Sequence, residues 1–396
     1  MSSDAKIWVS RLNDRGAIRP AGAAPSPVRF YDTTLRDGEQ TVGVVLTPQQ
    51  KLELARALDD LGISRIEAGF PRVSPDDAEA FRLIARAGLR AEIWGFARAV
   101  KGDIEELARL GASATVIEIP CSPIKLRAYG ISAGDSLLRV GEAVRLARQN
   151  SIRVAFFPVD GTRADLEHLR AVYLTALEAG ADEVVVVDTI GACSPEAIEY
   201  LVTQVREWIG AAVPLHFHGH DDFGLATACA IAAVRAGANW IQATINGMGE
   251  RAGNADIAEV AMALTCLYGV PVELRLEKIR EVSARVRAAS GYAMEPWKPV
   301  TGDTLFLRES GAVASQFHMP EAIEPFSADL VNARRGIVLG KKSGVDSITI
   351  KARELGLEIP EGKGPAVLAA VKKRGIEKRG LLTDSEFREI VAQCSS

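Results

Sequence analysis

The sequence predicts a (β/α)8 TIM barrel with a smaller C-terminal α+β linker or lid domain, and three observations carry that expectation. Short apolar runs rich in Val, Ile and aromatics alternate eight times with longer amphipathic stretches over about 240 residues. Polar side chains gather at the C-terminal ends of these runs, where such a barrel places its functional groups. No Gly-x-Gly-x-x-Gly follows the first run, so an open doubly wound sheet lacks its usual support.

The elements follow in order. Residues 19–27 (RPAGAAPSP) are rich in Pro and Ala, so residues 1–27 read as a flexible extension. The strand candidates are 28–32, 63–69, 92–97, 115–120, 152–158, 183–189, 213–219 and 240–245. The helix at 47–61 opens on Thr47-Pro48, a capping residue followed by Pro in the first turn, and Ser74-Pro75 and Ser194-Pro195 repeat the signal. Gly62, Gly111, Gly180 and Gly237 fit helix C-terminal caps. The repetition ends near Tyr268, so the barrel is assigned 28–270 and the smaller domain 271–396. That domain is predicted to hold a helix at 272–290, strands at 334–339 and 347–351, helices at 364–374 and 384–393, and a frayed end around Cys394.

Composition narrows the class. Apolar residues make up 47% and charged ones 25%, and the net charge of −4 is spread over interspersed signs. A nucleic-acid surface would need a clustered basic face, and no stretch approaches the length of a membrane span. Five cysteines without paired spacing, and an N-terminus without an apolar signal core, point to reduced thiols in the cytoplasm.

The chemistry concentrates in Pro214–Gly224, PLHFHGHDDFG, where three of the five histidines alternate. Alternation is the strand period, so His216, His218 and His220 face one side. Imidazoles and carboxylates at a strand end suit a divalent metal; the plainer reading is a strand whose histidines bond to neighbours.

Three motifs, YDTTLRDGEQ (31–40), HFHGHDDFGLA and NGMGERAGN (246–254), together resemble the pyruvate-carboxyltransferase-like metal-dependent barrels. That group contains the isopropylmalate, homocitrate and citramalate synthases and, more distantly, hydroxymethylglutaryl-CoA lyase. IVLGKKSG (337–344) is similar to the linker domain of the synthases, which the lyases lack. The resemblance implies a Mg, Mn, Zn or Co ion held by Asp37, His218 and His220, with Asn254 as a further or water-mediated ligand. It implies that Arg36 stabilises an enolate or alkoxide, that Gln40, Glu67, Arg98 and Thr189 orient substrate, and that acetyl-CoA is the co-substrate. Gly247 and Gly249 would lie near the coenzyme, although a tight strand-to-helix turn would use the same glycines. His216 then falls one strand pair deeper, as a hydrogen-bonded core residue, and Asp221 reads as an orienter behind the ligands.

Two departures bear on mechanism. The related synthases carry a glutamate near the end of the fifth strand, where this chain has Val159; their His-Glu-x-Gly-x-His segment reads Arg308-Glu309-Ser310-Gly311-Ala312-Val313 here. Lys125 also stands where isopropylmalate synthases tend to have His. A Claisen condensation needs a base; His318 is the candidate substitute, and the plainer reading of it is a surface histidine near Pro320. The expected function is condensation of acetyl-CoA with a 2-oxo acid by a homodimer with an atypical base. The alternatives are a lyase or aldolase cleaving a 2-hydroxy acid or 3-hydroxyacyl-CoA, and a non-catalytic paralogue.

Overall fold

The computed structural model describes residues 6–15 and 27–395. Eight parallel strands close into a barrel in sequence order, β1 pairing with β8. They are β1 (Arg29–Asp32), β2 (Arg65–Glu67), β3 (Glu92–Arg98), β4 (Ala114–Pro120), β5 (Arg153–Val159), β6 (Glu183–Asp188), β7 (Leu215–Gly219) and β8 (Trp240–Ala243). Each lies inside a predicted run or within one residue of it.

The outer helices are α1 (Pro48–Leu61), α2 (Pro75–Ala85), α3 (Lys101–Arg109), α4 (Pro123–Tyr129), α5 (Ala133–Gln149), α6 (Leu166–Glu178), α7 (Pro195–Ile209), α8 (Ala226–Arg235), α9 (Ile257–Ala263) and α10 (Ile279–Ser290). Their starts are set locally. Thr47 Oγ1 accepts from Gln50 N–H while Gln50 bonds back, closing a capping box, and Ser74 and Ser194 cap α2 and α7. At the end of α1, Gly62 has φ 98°, and a Cβ there would come within 2.8 Å of Glu273 O.

Alternate strand positions fill the barrel with Tyr31, Trp94, Phe96, Val116, Phe157, Val185, Val187 and Trp240. A charged plug is buried among them. Arg65 donates to both Glu183 oxygens at 2.6 and 2.9 Å and to Glu92 at 2.9 Å, with its guanidinium 3.7 Å over Trp240. His216 Nε2 lies 2.6 Å from Glu183 Oε2, and Gln242 Nε2 lies 3.3 Å from His216 Nδ1. That is the core histidine the register predicted.

Contacts divide the chain into two compact units, Asn13–Met294 and a second formed by residues 6–12 with 295–395. The break falls later than the expected 270/271, because α10 belongs to the barrel unit: Gln50 Nε2 donates to Ala289 O at 3.4 Å, and Asn246 bonds with Ser283. The helix expected from 272 begins as a 3-10 turn at Leu276. Of the extension assigned to 1–27, residues 1–5 and 16–26 lie outside the described residues, whereas Ile7 pairs with Phe326 in the second unit.

The second unit holds a two-stranded parallel pair, β9 (Leu307–Arg308) and β10 (Gly336–Ile337), with α11 (Gly311–Ala314), α12 (Val345–Glu354), α13 (Gly364–Lys378) and α14 (Asp384–Ser395). Two expectations fail there. The run 347–351 is helical, because Ile348 and Ala352 bury one turn apart against Val367, Val371 and Phe387, and packing overrides its β-branched character. Cys394 is no frayed end: α14 carries it onto the same core. In GKKSG the backbone of Gly344 approaches Gly311, where a Cβ would meet Gly311 Cα at 2.7 Å. Close chain packing therefore accounts for that glycine.

Candidate active site

The turn after β1 is built by its own polar residues. Asp32 accepts from Thr34 N–H at 2.9 Å and from Thr34 Oγ1 at 2.7 Å, and Thr34 Oγ1 in turn accepts from Ile245 N–H. Burial pushes the Asp32 carboxyl up to about 7. Asp32 is thus an organiser of the loop, and the loop delivers Arg36 and Asp37 to the mouth. His218, on β7, and His220, one residue past its end and bridged to Asn254, reach the same place.

These groups converge. Asp37 Oδ2 lies 3.3 Å from His218 Nε2 and 3.7 Å from His220 Nε2, and the two Nε2 atoms are 3.4 Å apart. All three residues are buried. Asp37 Oδ1, both histidine Nδ1 atoms and Asn254 Oδ1 are buried without a hydrogen-bond partner among the described residues. Lone-pair donors gathered so closely, with oxygen and nitrogen atoms unsatisfied around them, suit a divalent cation of the Mg, Mn, Zn or Co type. Asn254 sits beside His220 across an antiparallel bridge; its Nδ2 donates to Met248 O, which leaves Oδ1 as the atom able to ligate.

Electrostatics agree with that fit. Burial alone would raise Asp37, but Arg36 and the two histidines outweigh it and hold the carboxyl well below the usual range. Burial pushes His220 down to about 4, which keeps its imidazole neutral for ligation. Arg36 is fixed by Glu67, whose Oε2 accepts from Nε at 2.7 Å, and Arg36 Nη1 is 3.3 Å from Asp37. Its Cζ lies 4.1 Å over the Phe96 ring, and its Nη2 is buried without a partner. Glu67 also accepts from Tyr31 O–H at 3.0 Å, so both its oxygens serve to hold other groups.

Other expected residues are placed differently. Thr189 Oγ1 accepts from Asp160 N–H at 2.7 Å, half-buried at the end of β6. Arg98 is mostly exposed and forks onto Asp103 at 2.8 and 3.0 Å. Gln40 is exposed on a 3-10 turn. Gly249, at φ 158°, would drive a Cβ within 2.2 Å of Asn254 Nδ2, and Gly247 has φ 68°. The turn geometry by itself accounts for both glycines. Asp221 Oδ1 accepts from Ala226 N–H at the start of α8, so it caps that helix. His318 lies exposed on a turn of the second unit.

One residue went unmarked in the sequence. Glu118, on β4, follows Ala114 and Val116 in the inward phase and pairs with Arg98 on β3 and Phe157 on β5. Burial, opposed by Arg36 and Arg98, pushes its carboxyl up to about 7. A glutamate in the inward phase of TVIEIP was the available signal.

Comparison with known proteins follows the geometry. The HMGL-like family profile matches residues 27–286. The chain is 43% identical to homocitrate synthase AksA of Methanopyrus kandleri over 93% of its own length and 92% of that protein's. It is 39% identical to the 2-isopropylmalate synthase of Methanocaldococcus jannaschii, over 93% of this chain and 71% of that one. Hydroxymethylglutaryl-CoA lyase from Pseudomonas aeruginosa shares the barrel at a TM-score of 0.61 and 23% identity, covering 68% of this chain and 95% of the lyase. By the extent of these matches, the chain belongs to the HMGL-like family.

Proposed function

We propose that this protein condenses acetyl-CoA with a 2-oxo acid in a divalent-metal-dependent Claisen reaction. The carrying observation is the convergence of Asp37, His218 and His220 beside an Arg36 whose Nη2 has no partner. The synthase relatives support this direction over cleavage, since they match 93% of the chain and so reach into both units, while the lyase covers 68%.

The chemistry a cation supplies at such a site is Lewis-acid polarisation of a ketone. Arg36, immobilised by Glu67, aims a free N–H at the oxygen on which charge develops. The Thr189 hydroxyl accepts from backbone and keeps its own hydrogen to donate to a substrate carboxylate. Arg98 and Gln40 would position the remainder of the acid, and the Gly247–Gly249 turn would border the coenzyme. We further propose a homodimer in the cytoplasm, the compartment being in keeping with five cysteines that form no disulfide among the described residues.

The test is direct. Purified protein with Mn2+ or Mg2+, acetyl-CoA and a panel of pyruvate, 2-oxoisovalerate and 2-oxoglutarate should release free thiol with at least one acid. Thiol release with none of them, together with cleavage of a 3-hydroxyacyl-CoA, would establish the lyase direction instead.

A further inference from the structure

A condensation of this kind requires a base for the acetyl methyl group, and almost every titratable side chain at the mouth is already committed. Asp37, His218 and His220 form the candidate metal set, and Glu67 serves Arg36 and Tyr31. Asp160 accepts from Ser122 and twice from Arg163; Asp188 accepts from Thr162 and from two backbone N–H groups. Asp103 is held by Arg98, and Asp222 by Arg251. Cys121 is buried, and its thiol is pushed up to about 12. The inward positions of β5 are Ala155, Phe157 and Val159, none of which can take a proton.

Glu118 is different. It makes no side-chain hydrogen bond or ion pair among the described residues, and it keeps partial exposure at the end of the barrel where β4 opens. Its register partner Phe157 packs edge-on against His218, with ring centroids 5.1 Å apart, and edge-on against Phe96 at 6.2 Å. Arg36 lies over Phe96. Glu118 therefore shares the inward layer of the mouth with the aromatic pair that borders Arg36 and His218, and it stands within electrostatic reach of Arg36.

We propose that the Glu118 carboxylate is the base that takes the proton from the acetyl-CoA methyl group. The proposal rests on the synthase reading given above. A methyl C–H bond breaks, the proton passes to a Glu118 oxygen, and the electron pair stays behind as the thioester enolate. That carbon bonds to the ketone carbon of the 2-oxo acid, whose π pair moves onto oxygen and is neutralised by a proton from water. Glu118 returns its proton to solvent, and hydrolysis of the thioester yields the acid and free thiol. Its raised pKa keeps the basic form present at neutral pH while making it a stronger acceptor than an ordinary carboxylate. The charged groups around it are Arg36, Glu67, Arg98 and Asp103. The proposed base thus sits on β4, the strand beside the one whose inward positions toward the mouth, Phe157 and Val159, are apolar.

The test compares the metal-loaded full chain with Glu118→Gln and Glu118→Asp, using the same three acids. Glu118→Gln should lose about 10²- to 10⁴-fold in kcat, with little change in KM for the acid and unchanged metal content. The acid limb of the wild-type kcat profile should vanish with it. Glu118→Asp should recover part of the turnover and show a primary isotope effect with trideuteroacetyl-CoA, and this decides the matter if the Gln variant misfolds. Turnover of Glu118→Gln within about threefold of wild type would overturn the assignment while leaving the synthase reading intact. A wild-type protein that releases no thiol with any acid would remove both.

Discussion

Arg36 occupies the least replaceable position in the candidate site. Its planar fork is held by Glu67 at Nε, faces Asp37 at Nη1 and stacks over Phe96, which leaves Nη2 as a fixed donor. Lysine cannot reproduce that fork. Arg36→Lys should therefore lower kcat by about 10²-fold with a smaller effect on acid KM, as measured by steady-state thiol release. At this scale Asp37, His218 and His220 were legible through the family resemblance of their motifs, since strand alternation by itself brings His216 to the same face as the other two imidazoles. Thr189 and Asp221 were less so. Their hydroxyl and carboxylate are engaged by Asp160 and Ala226 N–H groups, partners that exist only once loops from distant segments meet. Glu118 escaped notice because a charged residue within an apolar run carries no motif around it.

Among the elements, β6 and β7 carry the barrel's stability as well as its chemistry. Burial would raise Glu183, yet His216 and Arg65 outweigh it and hold its carboxyl down at about 2. A free glutamate titrates near about 4.3, so the folded state's preference for the charged form adds stability above that pH, and this is lost as pH falls toward about 2. Burial also lowers His216, so the unfolded chain takes up a proton below about pH 6.5 that the folded one resists, and the two effects share a sign. Glu183→Gln should destabilise the protein by about 3 kcal/mol at neutral pH and flatten the acid limb of the stability profile, as read by denaturant melts from pH 7 to 3. All eight strands were legible as elements, since each buried parallel strand is a short β-rich run bounded by helix signals. The segment 347–351 was not: five residues of β-forming character cannot reveal that Ile348 and Ala352 will be buried one helical turn apart.

Across the whole molecule, the candidate metal site links the loop after β1 to the end of β7. A cation that binds only the closed barrel stabilises it by mass action, by about 2.7 kcal/mol at a hundredfold excess over its dissociation constant. Mn2+ should therefore raise the Tm of the chelator-treated protein, and a His218→Ala, His220→Ala variant should retain neither the shift nor the metal. An equal shift in both proteins would mean that the ion binds elsewhere.

The sequence by itself determined the barrel and the order of its strands, because periodicity and capping are written within short segments, whereas the candidate cation set of Asp37, His218 and His220 came from the resemblance of its motifs. It also determined that the fifth strand ends on Val159, where a carboxylate would have been expected. Only the tertiary structure decided that α10 belongs with the barrel, that Glu67 is spent on Arg36, and that Glu118 stands beside Phe157 with no ion pair or side-chain hydrogen bond among the described residues. Which carboxylates are committed and which are free depends on partners far apart in the chain, and only closure of the barrel brings those partners together.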